Sequence, residues 1–535
     1  MTKKIWSHFQ KSFTWYILIG VIVSLCSALA IYFFQQLLDH YQKSFQLGLL
    51  VAYGTTIILI PLLSYCEQKP KAYLTNGIYF YLKKLSLIKM SKISYEEYLK
   101  LGAGALLQKV EVGAAAGRNI HLNFYGRLFR ELIPETLFNL FFIALFIALI
   151  DKKLLPAILI GYVIVFILTK ILLKTLQKMK EKTLISEEAM NATLIRGMTE
   201  LVTFRINRKY KKEIENYALM AEENSQNITK MTMIHEFFFG FFALLVALIK
   251  VSIVVLSFTN VVTLSLGGLV AIVMYIDRIY TPIAIFNVLF VQYNLDKVAY
   301  QRLEDFYKKE DDPDLAVSGK ALPEIQTISL KDVCFSVDSQ TIMSQQNRQF
   351  SMNKTYGLIG KSGTGKSTLI KLILGLLKPT EGTVYVNQFP LTQFNLEDYY
   401  EKVFYLSQDV PIFQGTLKEN IVFNQEISDE QVIEAMYRFQ LGELYERLPE
   451  GLNTIVSEKG MNFSGGEKQR IAFTRLAFTQ AEILILDEAT SALDEKTEEK
   501  VLQEVQKFTH NKLTILVTHR PKTLRFVDEI IDLNE

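Results

Sequence analysis

Residues 13 to 34 read FTWYILIGVIVSLCSALAIYFF, 22 residues without one charge. At about 1.5 Å of rise per residue, a helix of that length crosses a hydrocarbon core of about 30 Å, so the run is read as a membrane span. The basic start MTKKIW resembles the n-region of a signal peptide, but the apolar run is too long for an h-region and no small-residue cleavage site follows it. Five further mostly apolar runs, at 47–65, 133–150, 154–173, 237–258 and 261–286, are read in the same way, which makes six spans. Half of the 535 residues are hydrophobic and the mean hydropathy is positive, +0.19, too apolar for an ordinary soluble enzyme of this length, and the length allows two or three domains.

Spacing between the spans carries the orientation. Short turns join the first to the second, the third to the fourth and the fifth to the sixth, whereas about 65 residues separate the second from the third and the fourth from the fifth. Those long connections contain basic stretches such as LLKTLQKMKEK and FRINRKYKKE. The positive-inside tendency therefore places both loops and both termini in the cytoplasm of a multi-pass protein of the cell membrane. Apolar residues recur in the loops at helical spacing, so they are read as helices projecting from the bilayer.

Charges within spans are where a substrate path is sought first. Lys170 lies near a span end and is expected to snorkel. Lys250 sits mid-span and either lines a central cavity or pairs with an acidic neighbour, Glu135 or Asp277. Asp277 and Arg278 are read as the cytoplasmic end of the sixth span, the helix continuing through NVLFVQYNLDKVAYQRLEDFY. A net charge of +3 without a basic patch interleaved with aromatics excludes nucleic acid as a partner. Cys26, Cys66 and Cys334 are far apart and lack metal-ligand spacing, which argues against a disulfide scaffold or a zinc site.

From Lys308 the chain turns polar and gains prolines, reading as a linker over 308–325 between a membrane domain (1–307) and a second domain (326–535). There the apolar runs shorten to strand length, TYGLIG, KVFYLS, EILILDE and LTILVTH, with helical stretches between them. That alternation predicts a mostly parallel sheet covered by helices. The fold class expected is thus a multidomain membrane protein, an all-α six-helix transmembrane domain joined to an α/β P-loop domain.

Gly360, Lys361, Ser362, Gly363, Thr364, Gly365, Lys366 and Ser367 fit G-x-x-x-x-G-K-[ST] between a strand and an apolar-periodic helix. With Thr368 they are expected to hold a nucleotide: backbone N–H groups wrap the β-phosphate, Lys366 reaches the β- and γ-phosphates, and the Ser367 hydroxyl ligates magnesium. Asp487 ends an apolar strand and is placed to hold the same cation through water, while Glu488 is placed to polarise a water for attack on the γ-phosphate. The pair of glycines in MNFSGGEKQR, behind a serine hydroxyl, suits a second anion site.

These motifs, with YLSQD around Gln408, LILDEATSALD and LVTHR around His519, occur in an order and spacing that resemble the ATP-binding cassette of ABC transporters. Six spans with two long cytoplasmic loops ahead of one cassette resemble the exporter-type half-transporter. The resemblance implies ATP and Mg2+ as cofactors, Gln408 as the Q-loop glutamine on magnesium, Asp494 as the D-loop aspartate and His519 as the switch histidine on the γ-phosphate. It implies that Ser464, Gly465, Gly466 and Glu467 form the signature that caps ATP held by a second chain, in a homodimer or a heterodimer. It also places KISYEEYLKLGAG and IRGMTELVTFRINR at the contacts between loops and cassettes, and Glu458 near the partner's loops. The function implied is ATP-driven export of a small amphipathic, lipid-like or peptide substrate. The alternatives are import of a metal chelate and an ATP-gated regulator or channel with weak ATPase. No Cys and His pair of a leader peptidase precedes the first span.

Two departures from that family pattern stand out. Val337 occupies the place of the aromatic that stacks on adenine, a loss on the order of 1 kcal/mol, and Phe335 is expected in the strand's core rather than as its substitute. Glu467 stands where the signature has glutamine. Either its carboxylate weakens contact with a polyanionic nucleotide, or the side chain points away. An altered signature beside an intact Glu488 fits a heterodimer whose partner lacks the catalytic glutamate.

Overall fold

The computed structural model describes the chain except for 42–45, 150–160, over half of 162–192, 260, 317–319, 338–339, 424, 457–462 and 535. Two compact units result, Met1–Ile88 with Ala103–Lys309, and Lys89–Gly102 with Glu310–Glu535.

Helices build the first unit. α1 (Thr2–His8), α2 (Gln10–His40) and α3 (Leu47–Met90) are followed by α4 (Tyr95–Leu101), which belongs to the second unit, and by α5 (Ala103–Arg118). Two π-helical turns, Asn119–Gly126 and Leu128–Leu132, lead into α6 (Ile133–Leu149). Later come α7 (Tyr210–Phe258) and α8 (Leu266–Lys308). Among the described residues three helices, α2, α3 and α7, are long and apolar enough to cross a membrane. The third expected span falls on α6, whose described part has 17 residues. The fourth, with Lys170, lies outside the described residues.

The sixth span differs from the sequence reading. Its helix starts at Leu266 because Ser265 caps it, accepting from the Gly268 N–H at 3.0 Å. Only 11 residues, about 17 Å, then precede Asp277. Asp277 and Arg278 lie within this helix, which runs on to Lys308 through NVLFVQYNLDKVAYQRLEDFY as the sequence predicts. The open question over Lys250 is also answered, since its Nζ pairs with Asp277 at 2.5 Å.

The second unit has a five-stranded parallel sheet in the order β11-β3-β10-β9-β6, built from β3 (Thr355–Ile359), β6 (Val403–Leu406), β9 (Ile483–Asp487), β10 (Leu513–Val517) and β11 (Glu529–Asp532). β9 and β10 are buried at every residue, as expected for strands covered on both faces. An antiparallel sheet, β2-β1-β4-β5, joins β1 (Thr327–Val337), β2 (Gln340–Ser351), β4 (Glu381–Val386) and β5 (Phe389–Pro390). The small pair β7 (Gly415–Thr416) and β8 (Ile455–Val456) lies apart from both.

Within this unit the stretch from the first long loop packs on the sheet domain. Tyr95 rests against its hydrophobic core, and the Lys371 ammonium lies 5.5 Å from the Tyr95 ring centre. The Asp312 N–H donates to the Lys92 carbonyl at 2.7 Å, and Lys378 pairs with Asp312 and Asp314 at 3.2 and 2.9 Å. The first half of the polar 308–325 stretch is therefore bound to the domain it precedes.

Candidate functional site at the strand ends

Parallel strands place the motif residues together, because each motif follows the carboxyl end of a strand in one sheet. The phosphate loop follows β3, Gln408 follows β6, Asp487 ends β9 and His519 follows β10. Gly363 and Gly365 have φ of +87° and +91°, a backbone turn that a Cβ would strain. A Cβ on Gly365 would also stand 3.0 Å from the Met343 side chain, whereas none is met within 4 Å of Gly363, where the loop opens. Lys366 is buried, and its ammonium donates to the carbonyls of Gly360 (2.7 Å) and Lys361 (3.0 Å), spanning the loop from within. Ser367 is exposed at the first turn of α9 (Lys366–Ile373). The loop fits phosphate, combining turned backbone N–H groups with one buried cation.

Asp487 is buried, and the Tyr405 hydroxyl donates to its Oδ2 at 3.5 Å. Burial, and next the charge of Glu488, push its carboxyl above the usual range. A cation would relieve that cost. Among the described residues no three His, Cys, Asp or Glu side chains cluster as a metal cage. The oxygen donors Ser367, Asp487 and Gln408 instead suit a hard cation that completes its shell with water and phosphate.

Glu488 sits at φ +48°, in the left-handed region, with its N–H donating to the Val517 carbonyl at 3.1 Å. Held there, its carboxylate accepts from Gln408 Nε2 at 2.9 Å and lies 3.3 Å from His519 Nε2. Backbone strain of this kind persists only where the surroundings enforce it. The three residues assigned to chemistry from the sequence thus converge on one carboxylate.

The Ser-Gly-Gly stretch opens α10 (Gly465–Thr474), and here the structure decides between the two readings of Glu467. Ser464 caps the helix, accepting from the Glu467 N–H at 3.3 Å, while the Glu467 carboxylate accepts from the Ser464 N–H at 2.8 Å and pairs with Arg447. Burial alone would raise this carboxyl, but the Ser464 hydrogen bonds together with Arg447 and Arg470 hold it below the usual range. Glu467 turns into its own helix terminus. The S-x-x-E spacing of a capping box was the signal for it in the sequence.

Next to this terminus runs the segment before α11 (Glu495–Thr509). Gln469 ties the two together, donating to Ser491 Oγ at 3.0 Å and accepting from the Ala492 N–H at 2.9 Å. Gly466 allows the approach, since a Cβ there would stand 3.1 Å from the Ala492 carbonyl oxygen. Asp494 caps α11, accepting from the Thr497 N–H at 3.0 Å, a bond that holds its carboxyl below the usual range. Arg520, beside His519, donates to the carbonyls of Leu493 (3.0 Å) and Ser491 (2.9 Å) and pairs with buried Glu498, which also accepts from Thr490 and Thr523. Nothing in the spacing of the motifs pointed to Arg520 or Glu498.

Phe335 is 7% exposed in the core and Val337 46% exposed, so no ring of β1 faces solvent there. Glu458 lies outside the described residues.

Residues 343–491 match the family model for the ABC transporter. This is an ABC transporter domain. ABC domains bind ATP, in keeping with the phosphate loop described above. Among curated relatives, heavy metal tolerance factor 1 of Caenorhabditis elegans is 30% identical over 62% of this chain and 41% of its own length. A putative export ATP-binding/permease protein of Rickettsia typhi is 35% identical over 40% of this chain and 38% of its own. The mitochondrial iron-sulfur clusters transporter ATM1 of Candida glabrata is 35% identical over 39% of this chain and 29% of its own. This chain spans less than half the length of each. A bacterial Atm1-family ABC exporter with ATP bound has the same fold, with a TM-score of 0.83 at 20% identity over 98% of this chain and 93% of that one. An apolar helical unit joined to one ABC domain is thus the ABC exporter fold, and the chain is a membrane protein.

Proposed function

We propose that the chain is one half of an ATP-driven exporter of the cell membrane, in which two chains clamp two ATP molecules and hydrolysis resets an alternating-access helical domain. The observation that carries this reading is the convergence of Gln408 and His519 on Glu488 beside the phosphate loop. Ser367, Asp487 and Gln408 would hold magnesium, which would supply neutralisation of the phosphate charge. Glu488 orients and polarises the attacking water, and His519 holds γ-phosphate oxygens and so reports whether ATP is intact. Ser464, Gly465 and Gly466 cap the γ-phosphate held by the partner, with Asp494 beside them. Glu467 acts only through the helix terminus that it caps. ATP-dependent uptake into inverted vesicles by the purified chain, abolished by Glu488→Gln, is the result expected. Transport unaffected by that substitution would overturn the reading and favour an ATP-gated regulator.

The names of two relatives, a heavy metal tolerance factor and an iron-sulfur clusters transporter, favour metal-thiolate or metal-chelate cargo as a second reading. Comparing apolar lipids, peptides and chelates in the same vesicles separates the cargo classes, and the direction of transport separates export from import. Cytoplasmic termini are part of the proposal and are checked by protease access to them in intact cells.

A further inference from the structure

α2 and α3 are two of the helices long and apolar enough to cross a membrane. The apolar run of α2 begins at Phe13 and that of α3 ends at Tyr65. These two ends lie side by side, since residues around both line one cavity of about 800 Å3. Lys11 stands two residues before the first run and Lys69 four residues after the second, so their backbone lies about 3 and 6 Å beyond the apolar stretch along the helix. Trp15 and Ile19, inside the run of α2, form the opposite end of the same cavity, with Trp15 61% exposed. An exposed tryptophan beside lysines at the limit of an apolar run is the pattern of a membrane–water interface. The walls are held by packing: a Cβ on Gly77 of α3 would stand 2.7 Å from the Phe9 ring, and the His8 ring stacks on Tyr81 at 4.3 Å. No acidic side chain lines the cavity, and among the described residues neither Lys11 nor Lys69 has a carboxylate partner. Glu67, the acid nearest to Lys69 along the chain, is buried and paired with Arg130.

We propose that this cavity binds one anionic phospholipid, with its phosphodiester between Lys11 and Lys69 and an acyl chain along Trp15 and Ile19. Two unpaired ammonium groups make charge-assisted hydrogen bonds to a phosphate without first giving up a partner. A zwitterionic headgroup brings a second cation among lysines with no acid to receive it, and that repulsion selects against it. A soluble anion satisfies the lysines but leaves the apolar end of the cavity wet. The lipid matches both ends, charge to charge and chain to apolar wall. Lysines beside a span attract anionic lipids in general, and the cavity turns that attraction into a fixed position for one molecule. The site depends only on α2 and α3 entering the bilayer, and stands apart from the cargo and from ATP hydrolysis.

Trp15 is the reporter, because bromine on a lipid chain quenches a nearby tryptophan, and Trp6 does not line the cavity. The full chain is reconstituted in phosphatidylcholine vesicles in which a minor fraction is either brominated phosphatidylglycerol or brominated phosphatidylcholine. The brominated phosphatidylglycerol is expected to quench at least about threefold more at equal fraction. Lys11→Gln combined with Lys69→Gln is expected to make the two lipids equal, while Lys11→Arg with Lys69→Arg keeps the preference and guards against misfolding of the uncharged variant. Lys3→Gln with Lys4→Gln removes the same charge outside the cavity and is expected to keep the preference too. Equal quenching by both lipids in the wild-type chain, or a preference that survives without Lys11 and Lys69, overturns the proposal. So does an equal loss in the Lys3 and Lys4 variant, which would assign the preference to the basic N-terminus as a whole. Abolition of the preference by glycerol phosphate at constant ionic strength would assign the cavity to a soluble anion and overturn it as well.

Discussion

Glu488 and Glu467 show how little residue type alone decides. Glu488 is held in a left-handed backbone with two side-chain partners at its carboxylate, whereas Glu467 is buried in its own helix terminus. Glu488→Gln keeps the shape and removes the base, so ATPase is expected to fall on the order of 10²-fold or more while ATP affinity is retained, as measured by steady-state kinetics and nucleotide binding. Glu467→Gln should leave the KM for ATP unchanged and lower stability by about 1 kcal/mol, read from thermal unfolding. The sign of its pH dependence follows from a carboxyl held low in the folded chain. The stabilisation is present above its unfolded value of about 4.3 and is lost as the pH falls through its lower folded value, so wild type and Glu467→Gln should converge in stability there. The place of Gln408 just after a strand was legible from its motif, but the inward turn of Glu467 was not legible from S-x-x-E, because a glycine-rich anion motif and a capping box share the same letters.

At the scale of elements, three segments meet around Arg520: the residues before α11, the end of β10 and the start of α10 through Gln469. Removing the guanidinium frees the Leu493 and Ser491 carbonyls and leaves Glu498 with two hydroxyl donors. Arg520→Leu is therefore expected to lower the stability of the chain by on the order of 1–3 kcal/mol, measured by chemical denaturation, and to slow ATPase through misplacement of Asp494. The alternation of short strands with helices made the parallel sheet readable, since period and length are local properties. Sheet order and the Arg520 network were not readable, because they join residues that sequence spacing does not relate. The sixth helix was misplaced by five residues at its start for a local reason: the apolar run continues through 261–265, and only Ser265 marks the cap.

For the whole molecule, the phosphate loop and the signature lie on one chain but serve different nucleotides in the proposed dimer. If two copies of this chain suffice, Lys366→Ala and Ser464→Ala chains should each lack ATPase alone, and their mixture should regain up to about a quarter of the wild-type rate. That estimate takes half of the dimers to be mixed, each with one intact site, and each site to contribute about equally to the rate. No recovery on mixing, with an inactive wild-type chain, would point to a partner of different sequence. By itself, the sequence determined that the chain enters a membrane and carries a phosphate-binding α/β domain. Those properties follow from uninterrupted apolar length and from residue types within a few positions of one another. Only the tertiary structure decided that Gln408 and His519 share Glu488, that Glu467 serves its own helix, and that Lys250 meets Asp277 rather than Glu135. Each of those depends on which side chains the packing of distant elements brings within hydrogen-bond reach.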